Sequence, residues 1–183
     1  MQINDPDGKA AHITNNKLEV LGVSSSMEAH TAAIEEEAYT IMIAADPSAT
    51  DADFFYLKNT STRLLRITKI RSVFPPTVGS LIYVKTCVTG TPTSGSTVTP
   101  VNKACGSGNI AACTCEQKDG DMALTGGSIV DTLNLVAAAV GEQTWNYNTP
   151  IILKTNQALV FNNVTDPTSD FTMAVDLYFH EAV

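Results

Sequence analysis

Along residues 171–180 apolar and polar side chains alternate almost without a break. Phe171, Met173, Val175, Leu177 and Phe179 fall on one face of an extended chain, and Thr172, Ala174, Asp176, Tyr178 and His180 on the other. That is the two-residue period of a β-strand with one buried side. "LLRITKIRSVF" alternates less regularly, while "YTIMIA", "DFFYLKN", "SLIYVKTCV", "PIILKT" and "ALVFNNV" are strand-length runs rich in β-branched and aromatic residues, each bounded by Gly, Pro, Asn, Asp or Ser. Repeated short strands with little helical periodicity predict an all-β chain, an antiparallel β-sandwich or jelly roll. Helix and strand compete in "LTGGSIVDTLNLVAAAVG", residues 124–141: its alanines and leucines favour helix, whereas Gly126-Gly127 and Val130, Val136 and Val140 oppose it.

Two stretches depart from the strand pattern. Residues 1–37 carry turn signals at Asp5-Pro6-Asp7-Gly8 and Asn15-Asn16, one short strand at Leu18-Glu19-Val20-Leu21, and the helix-tolerant "SSMEAHTAAIEEEA", which lacks a capping box. This segment cannot build a core, so it is expected to be an extended N-terminal arm lying along another surface, ahead of a sandwich domain over 38–183. Within that domain, residues 89–120 ("TGTPTSGSTVTPVNKACGSGNIAACTCEQKDG") are rich in Thr, Ser, Gly and Pro and predict an exposed loop.

Length and charge narrow the picture. A chain of 183 residues, 44% of them apolar, can bury one substantial core. The net charge of −8 repels phosphate backbones and anionic lipids unless cations cluster. They cluster at Arg63, Arg66, Lys69 and Arg71, but regular strand geometry puts 63, 69 and 71 on one face and 66 on the other. A solvated strand face, with no nucleic-acid partner, is the expectation. The chain has no apolar run of the roughly 20 residues that a spanning helix needs, and its opening residues lack the regions of a signal peptide. It reads as soluble and unexported, with no membrane partner.

The chemistry on offer is sparse. Cys87, Cys105, Cys113 and Cys115 have a spacing outside the common zinc frameworks; free thiols are the default and disulfides the alternative. "CGSGN" has Cys105 and Asn109 where a nucleophile elbow requires glycines. His12, His30 and His180 sit in the turn-rich arm and near the chain end, and Glu35, Glu36 and Glu37 are sequence neighbours whose directions diverge. "DPDGK", "DPSATDAD" and "DGD" offer oxygen ligands without the twelve-residue calcium-loop pattern. A non-enzymatic protein without cofactor or metal is expected.

Lys9-Ala10-Ala11-His12-Ile13-Thr14, Leu18-Glu19-Val20, Gly22-Val23-Ser24, Ala38-Tyr39-Thr40-Ile41 and Phe55-Tyr56-Leu57-Lys58-Asn59 together resemble a pattern in tailed-phage virion proteins. Those proteins open with a short arm, pass through an A-Y/F-x-I segment, and show L-Y-L-K-N before a long strand. Similarity to their head decoration (cement) proteins implies a capsid-stabilising role in the virion after assembly in the host cytoplasm, with the major capsid protein as partner and self-association as a homotrimer. On this resemblance Ile13, Leu18, Val20, Leu21 and Val23 would fill pockets on the capsid. The alternative is a head- or tail-fibre component that binds host cell-surface glycans through residues 89–120.

Overall fold

Tyr39, Ile41, Ile43 and Ala45 are buried, while Met42 and Ala44 between them are exposed. This strand, β4 (Ala38–Ala45), belongs to a computed structural model that describes residues 3–4, 10–14, 17–19, 27–47, 50–74, 78–137, 142–165 and 170–180. Before it, β1 (Ile3–Asn4), β2 (Ala10–Thr14) and β3 (Lys17–Glu19) pair antiparallel as a three-stranded meander. A single helical turn, α1 (Met27–His30), and a π-helical turn (Thr31–Glu35) then lead into β4. After β4 come β5 (Ala52–Asn59), β6 (Leu64–Phe74), β7 (Ser80–Thr89), β8 (Ser96–Thr97) and β9 (Val101–Asn102). The chain continues through β10 (Cys113–Gln117), β11 (Thr125–Leu135), β12 (Gln143–Leu153), β13 (Ala158–Asn163) and β14 (Phe171–His180).

These strands make an antiparallel β-sandwich. One sheet has five strands in the order β12-β6-β14-β4-β9, and the other has six in the order β11-β7-β13-β5-β10-β8. Their inner faces share one core. Ile41, Ile67, Val175 and Leu177 come from the first sheet, and Leu57, Val84, Leu133 and Leu159 from the second. Phe54 and Phe55 both enter this core although they are neighbours, because the ladder with β13 slips by one residue opposite them. Their rings lie 6.0 and 5.0 Å from that of Phe161. Each such buried side chain is worth roughly 1.5–3 kcal/mol of removed apolar surface.

Within residues 124–141, Thr125–Leu135 form β11, an edge strand paired along its length with β7. Gly126 and Gly127 sit at φ 72° and 94°, a conformation that breaks a helix and fits an irregular edge. A Cβ on Gly127 would stand 2.8 Å from Val88 Cγ2, so the position also requires close approach by β7.

The stretch 89–120 is largely exposed, yet much of it is tied to the sandwich. β10 pairs with β5 residue for residue from Cys113↔Asn59 to Gln117↔Phe55, and Cys115 is buried in the core. Low apolar content does not prevent pairing, since the backbone of β5 offers an unfilled edge and the inward Cys113 and Cys115 suffice to seal it. Beyond β10, Met122 and Leu124 cover the outer face of the six-stranded sheet against Tyr56, Ala158 and Val160. That sheet is therefore covered by its own chain over β5 and β13.

Candidate functional site

The outer face of the five-stranded sheet carries a network of charged side chains. Strand register fixes its layout, since residues directly opposite in a ladder point to the same side. Across one row lie Thr144, Arg71, Ala174 and Met42. Across the next lie Asn146, Lys69, Asp176, Thr40 and Val101. A third holds Ile152, Arg66, Tyr178 and Ala38.

Arg66 thus shares a face with Lys69 and Arg71, where regular alternation from the sequence placed it on the opposite one. The cause is a bulge at Thr68: Lys69 faces Asp176 and Ile67 faces Leu177, so β6 uses one extra residue. Ile67 stays in the core while both neighbouring cations turn outward. Arg63 leaves this face altogether. It pairs with Glu37 and lies over the Phe179 ring, 5.8 Å from its centroid.

At the centre of the face Asp176 is only 4% exposed. Its Oδ1 accepts a 2.6 Å hydrogen bond from Thr40 Oγ1 and lies 3.3 Å from Lys103 Nζ; its Oδ2 lies 3.5 Å from Arg71 Nε. Arg71 also reaches Glu142 at 3.3 Å through Nη1. Lys103 directly follows the edge strand β9, and its backbone N–H donates to Ala38 O of β4 at 2.8 Å, which positions it over the sheet. Buried carboxylates need partners, and here two cations and a hydroxyl supply them. Four cations, Arg66, Lys69, Arg71 and Lys103, surround two carboxylates, Asp176 and Glu142, leaving this face net positive on a chain of net charge −8. Met42, Val101 and Ile152 stand around the cations at 45%, 62% and 44% exposure.

Of the arm residues singled out from the sequence, Ile13 lies on β2 and Leu18 on β3, directly opposite one another in the meander. Val20, Leu21 and Val23 lie outside the described residues. Among the residues weighed for catalysis, Ser107 and the Glu35–Glu36 backbone meet on two shared asparagines. Ser107 Oγ accepts hydrogen bonds from Asn109 N and Asn102 Nδ2 at 3.1 and 3.3 Å. Glu35 and Glu36 serve through their backbone carbonyls, which accept from Asn109 Nδ2 at 3.1 Å and Asn102 Nδ2 at 2.7 Å. These two asparagines tie the 102–109 loop to the end of the π-helical turn, a role hidden in the sequence by their low-complexity surroundings.

All four cysteines are free thiols, and Cys113 and Cys115 face each other with Sγ atoms 3.6 Å apart. The Cys115 thiol is pushed up by its interaction with Cys113 and by burial, while that of Cys113 is lowered by the hydrogen bond from Cys115. Among the described residues no group of three or more His, Cys, Asp or Glu is placed to hold a metal ion. No helix among them is long and apolar enough to cross a membrane. Comparison with protein-family models, curated proteins and solved structures returned no match.

Proposed function

We propose that this chain is a non-enzymatic virion protein of a tailed phage, a head decoration protein that binds the capsid surface as a homotrimer and stabilises the shell. The observation that carries the reading is where the resembling motifs fall. Lys9-Ala10-Ala11-His12-Ile13-Thr14 runs into β2, Leu18-Glu19 lies on β3, Ala38-Tyr39-Thr40-Ile41 opens β4, and Phe55-Tyr56-Leu57-Lys58-Asn59 closes β5. Each motif, as far as it falls among the described residues, therefore occupies a structural position, in an N-terminal meander or in the strands of a sandwich, as expected of a scaffold that acts by binding. Ile13 and Leu18, with Val20, Leu21 and Val23, supply the apolar contacts of the arm, and strand addition supplies its backbone hydrogen bonds.

The test is co-sedimentation of the purified chain with phage heads lacking it, alongside a version without residues 1–26. The full chain is expected to bind and to raise the temperature at which heads release DNA. The shortened chain is expected to remain folded and lose binding. A full chain that ignores heads overturns the proposal, and a shortened chain that binds equally well removes the arm from it.

A further inference from the structure

We infer that the outer face of the five-stranded sheet is a second docking surface, and that its occupant is a protein surface bearing carboxylates. The inference deepens the decoration reading, which would make that occupant the acidic part of a shell subunit. Three observations carry it.

First, Met42, Val101 and Ile152 stand about half exposed on the five-stranded sheet beside the cations, while the outer side of β14 between them is closed over, with Ala174, Asp176 and Tyr178 buried. Exposed apolar side chains beside charged ones give a partner apolar surface to bury along with the charges that it pairs.

Second, the charge is local and opposite to that of the whole. Lys69 and Arg71 lie two residues apart on one face of β6, about 7 Å along the strand. The Thr68 bulge adds Arg66 to the same line. A chain of net charge −8 is repelled at long range by any acidic partner, so attraction can come only through such a patch.

Third, the chemistry of the patch is already visible in what it binds within the chain. Arg71 and Lys103 both engage the Asp176 carboxylate, and Arg71 also reaches Glu142 at the edge. Carboxylates of a partner would extend this network over Lys69 and Arg66. A nucleic-acid backbone would also meet the cations, but it would leave Met42, Val101 and Ile152 bare and bring many further phosphates against an acidic body.

The test uses the full chain and two probes of matched charge, poly-L-glutamate and duplex DNA, with binding followed at low and moderate salt. Wild type is expected to bind poly-L-glutamate more tightly than DNA. Lys69→Glu is expected to weaken that binding about tenfold or more, while Lys154→Glu, the same charge change in the exposed turn after β12, changes it less than about twofold. Far-UV circular dichroism and melting temperature verify that each variant is folded; Lys69→Ala, expected to lose binding partly, replaces Lys69→Glu if the reversal does not fold. Absence of poly-L-glutamate binding, equal loss in Lys69→Glu and Lys154→Glu, or tighter binding to DNA each overturns the inference. Heads lacking the chain separate the two claims: failure of wild type to bind heads sinks the decoration reading, whereas failure with poly-L-glutamate sinks the docking face, whichever way the other falls.

Discussion

Asn59, at the end of β5 in one sheet, donates through Nδ2 to the backbone carbonyl of Leu153, at the end of β12 in the other, over 2.9 Å. The same amide donates to Arg63 O at 2.7 Å, and its Oδ1 accepts from Ser61 N at 2.9 Å. One fully buried side chain thus shapes the turn from β5 to β6 and fastens the two sheets where they meet. Asn59→Ala leaves two carbonyls and one N–H without these partners, at a cost of about 3 kcal/mol. Asn59→Asp is expected to fare no better, since a carboxylate cannot donate to either carbonyl. Urea unfolding of both variants checks this, and a loss below about 1 kcal/mol would contradict it.

Tyr147 and Asp131 make a similar link between the edge strands β12 and β11: the phenol donates to Asp131 Oδ2 at 2.6 Å. Burial, then the bond to Asp131, raises the Tyr147 pKa well above 10.0, and burial also raises those of Tyr39 and Tyr56. A phenol whose folded pKa is raised contributes its full stability below the unfolded value near 10 and loses it as the pH rises further. The protein is therefore expected to lose stability above about pH 10. Tyr147→Phe should cost about 1–2 kcal/mol at neutral pH and show a shallower alkaline decline, both measurable by denaturation across pH 8–11.

Asp53 carries the opposite signature for a carboxylate. It is buried on the outer side of β5, accepts from Asn162 Nδ2 at 2.9 Å and has Lys85 at 3.7 Å, yet burial raises its pKa above 3.8. The unfolded chain then gives up this proton more easily than the folded one, so this group's contribution to stability declines as the pH rises above 3.8. Asp53→Asn keeps an acceptor for Asn162 and removes the charge. It is expected to melt higher than wild type at pH 7, with the gap closing as the pH falls towards 4; a lower melting temperature at pH 7 would show that Lys85 outweighs burial.

Thiol labelling should follow exposure and chemistry. Cys87 and Cys105 are exposed, Cys113 is partly buried with a lowered pKa, and Cys115 is buried with a raised one. A maleimide should modify Cys87 and Cys105 first, Cys113 more slowly, and Cys115 only on unfolding. Peptide mass mapping over time reads the order, and early labelling of Cys115 would contradict the placement of β10 against β5.

Much of this architecture could be read from residue alternation, because burying one face of a strand imposes a period of two. Met173, Val175, Leu177 and Phe179 do line the core, but Ala174, Asp176 and Tyr178 on the other face are buried as well, so β14 does not have the single buried side that its alternation predicts. Alternation fails where a ladder slips. The bulge at Thr68 moved Arg66 onto the face of Lys69 and Arg71, and no local feature of "RITKI" announces that extra residue. Nor does alternation show what covers an outward side chain, so Asp176 looked solvated although Arg71 and Lys103 close over it. Lys103 reaches it from a stretch whose threonines, serines and glycines read as free loop. The helix–strand ambiguity of residues 124–141 was decided by pairing with β7, a tertiary effect that local propensity does not contain.

The most direct test of the proposed role is a cryo-EM reconstruction of the particle carrying this chain, at a resolution that traces residues 1–26 and the outer face of the five-stranded sheet. The account predicts three copies about a symmetry axis of the head, with the N-terminal segment lying on capsid subunits and Lys69 facing their acidic side chains. Density for the chain on a tail or fibre, with residues 89–120 pointing outward and the N-terminal segment away from any capsid subunit, would contradict it.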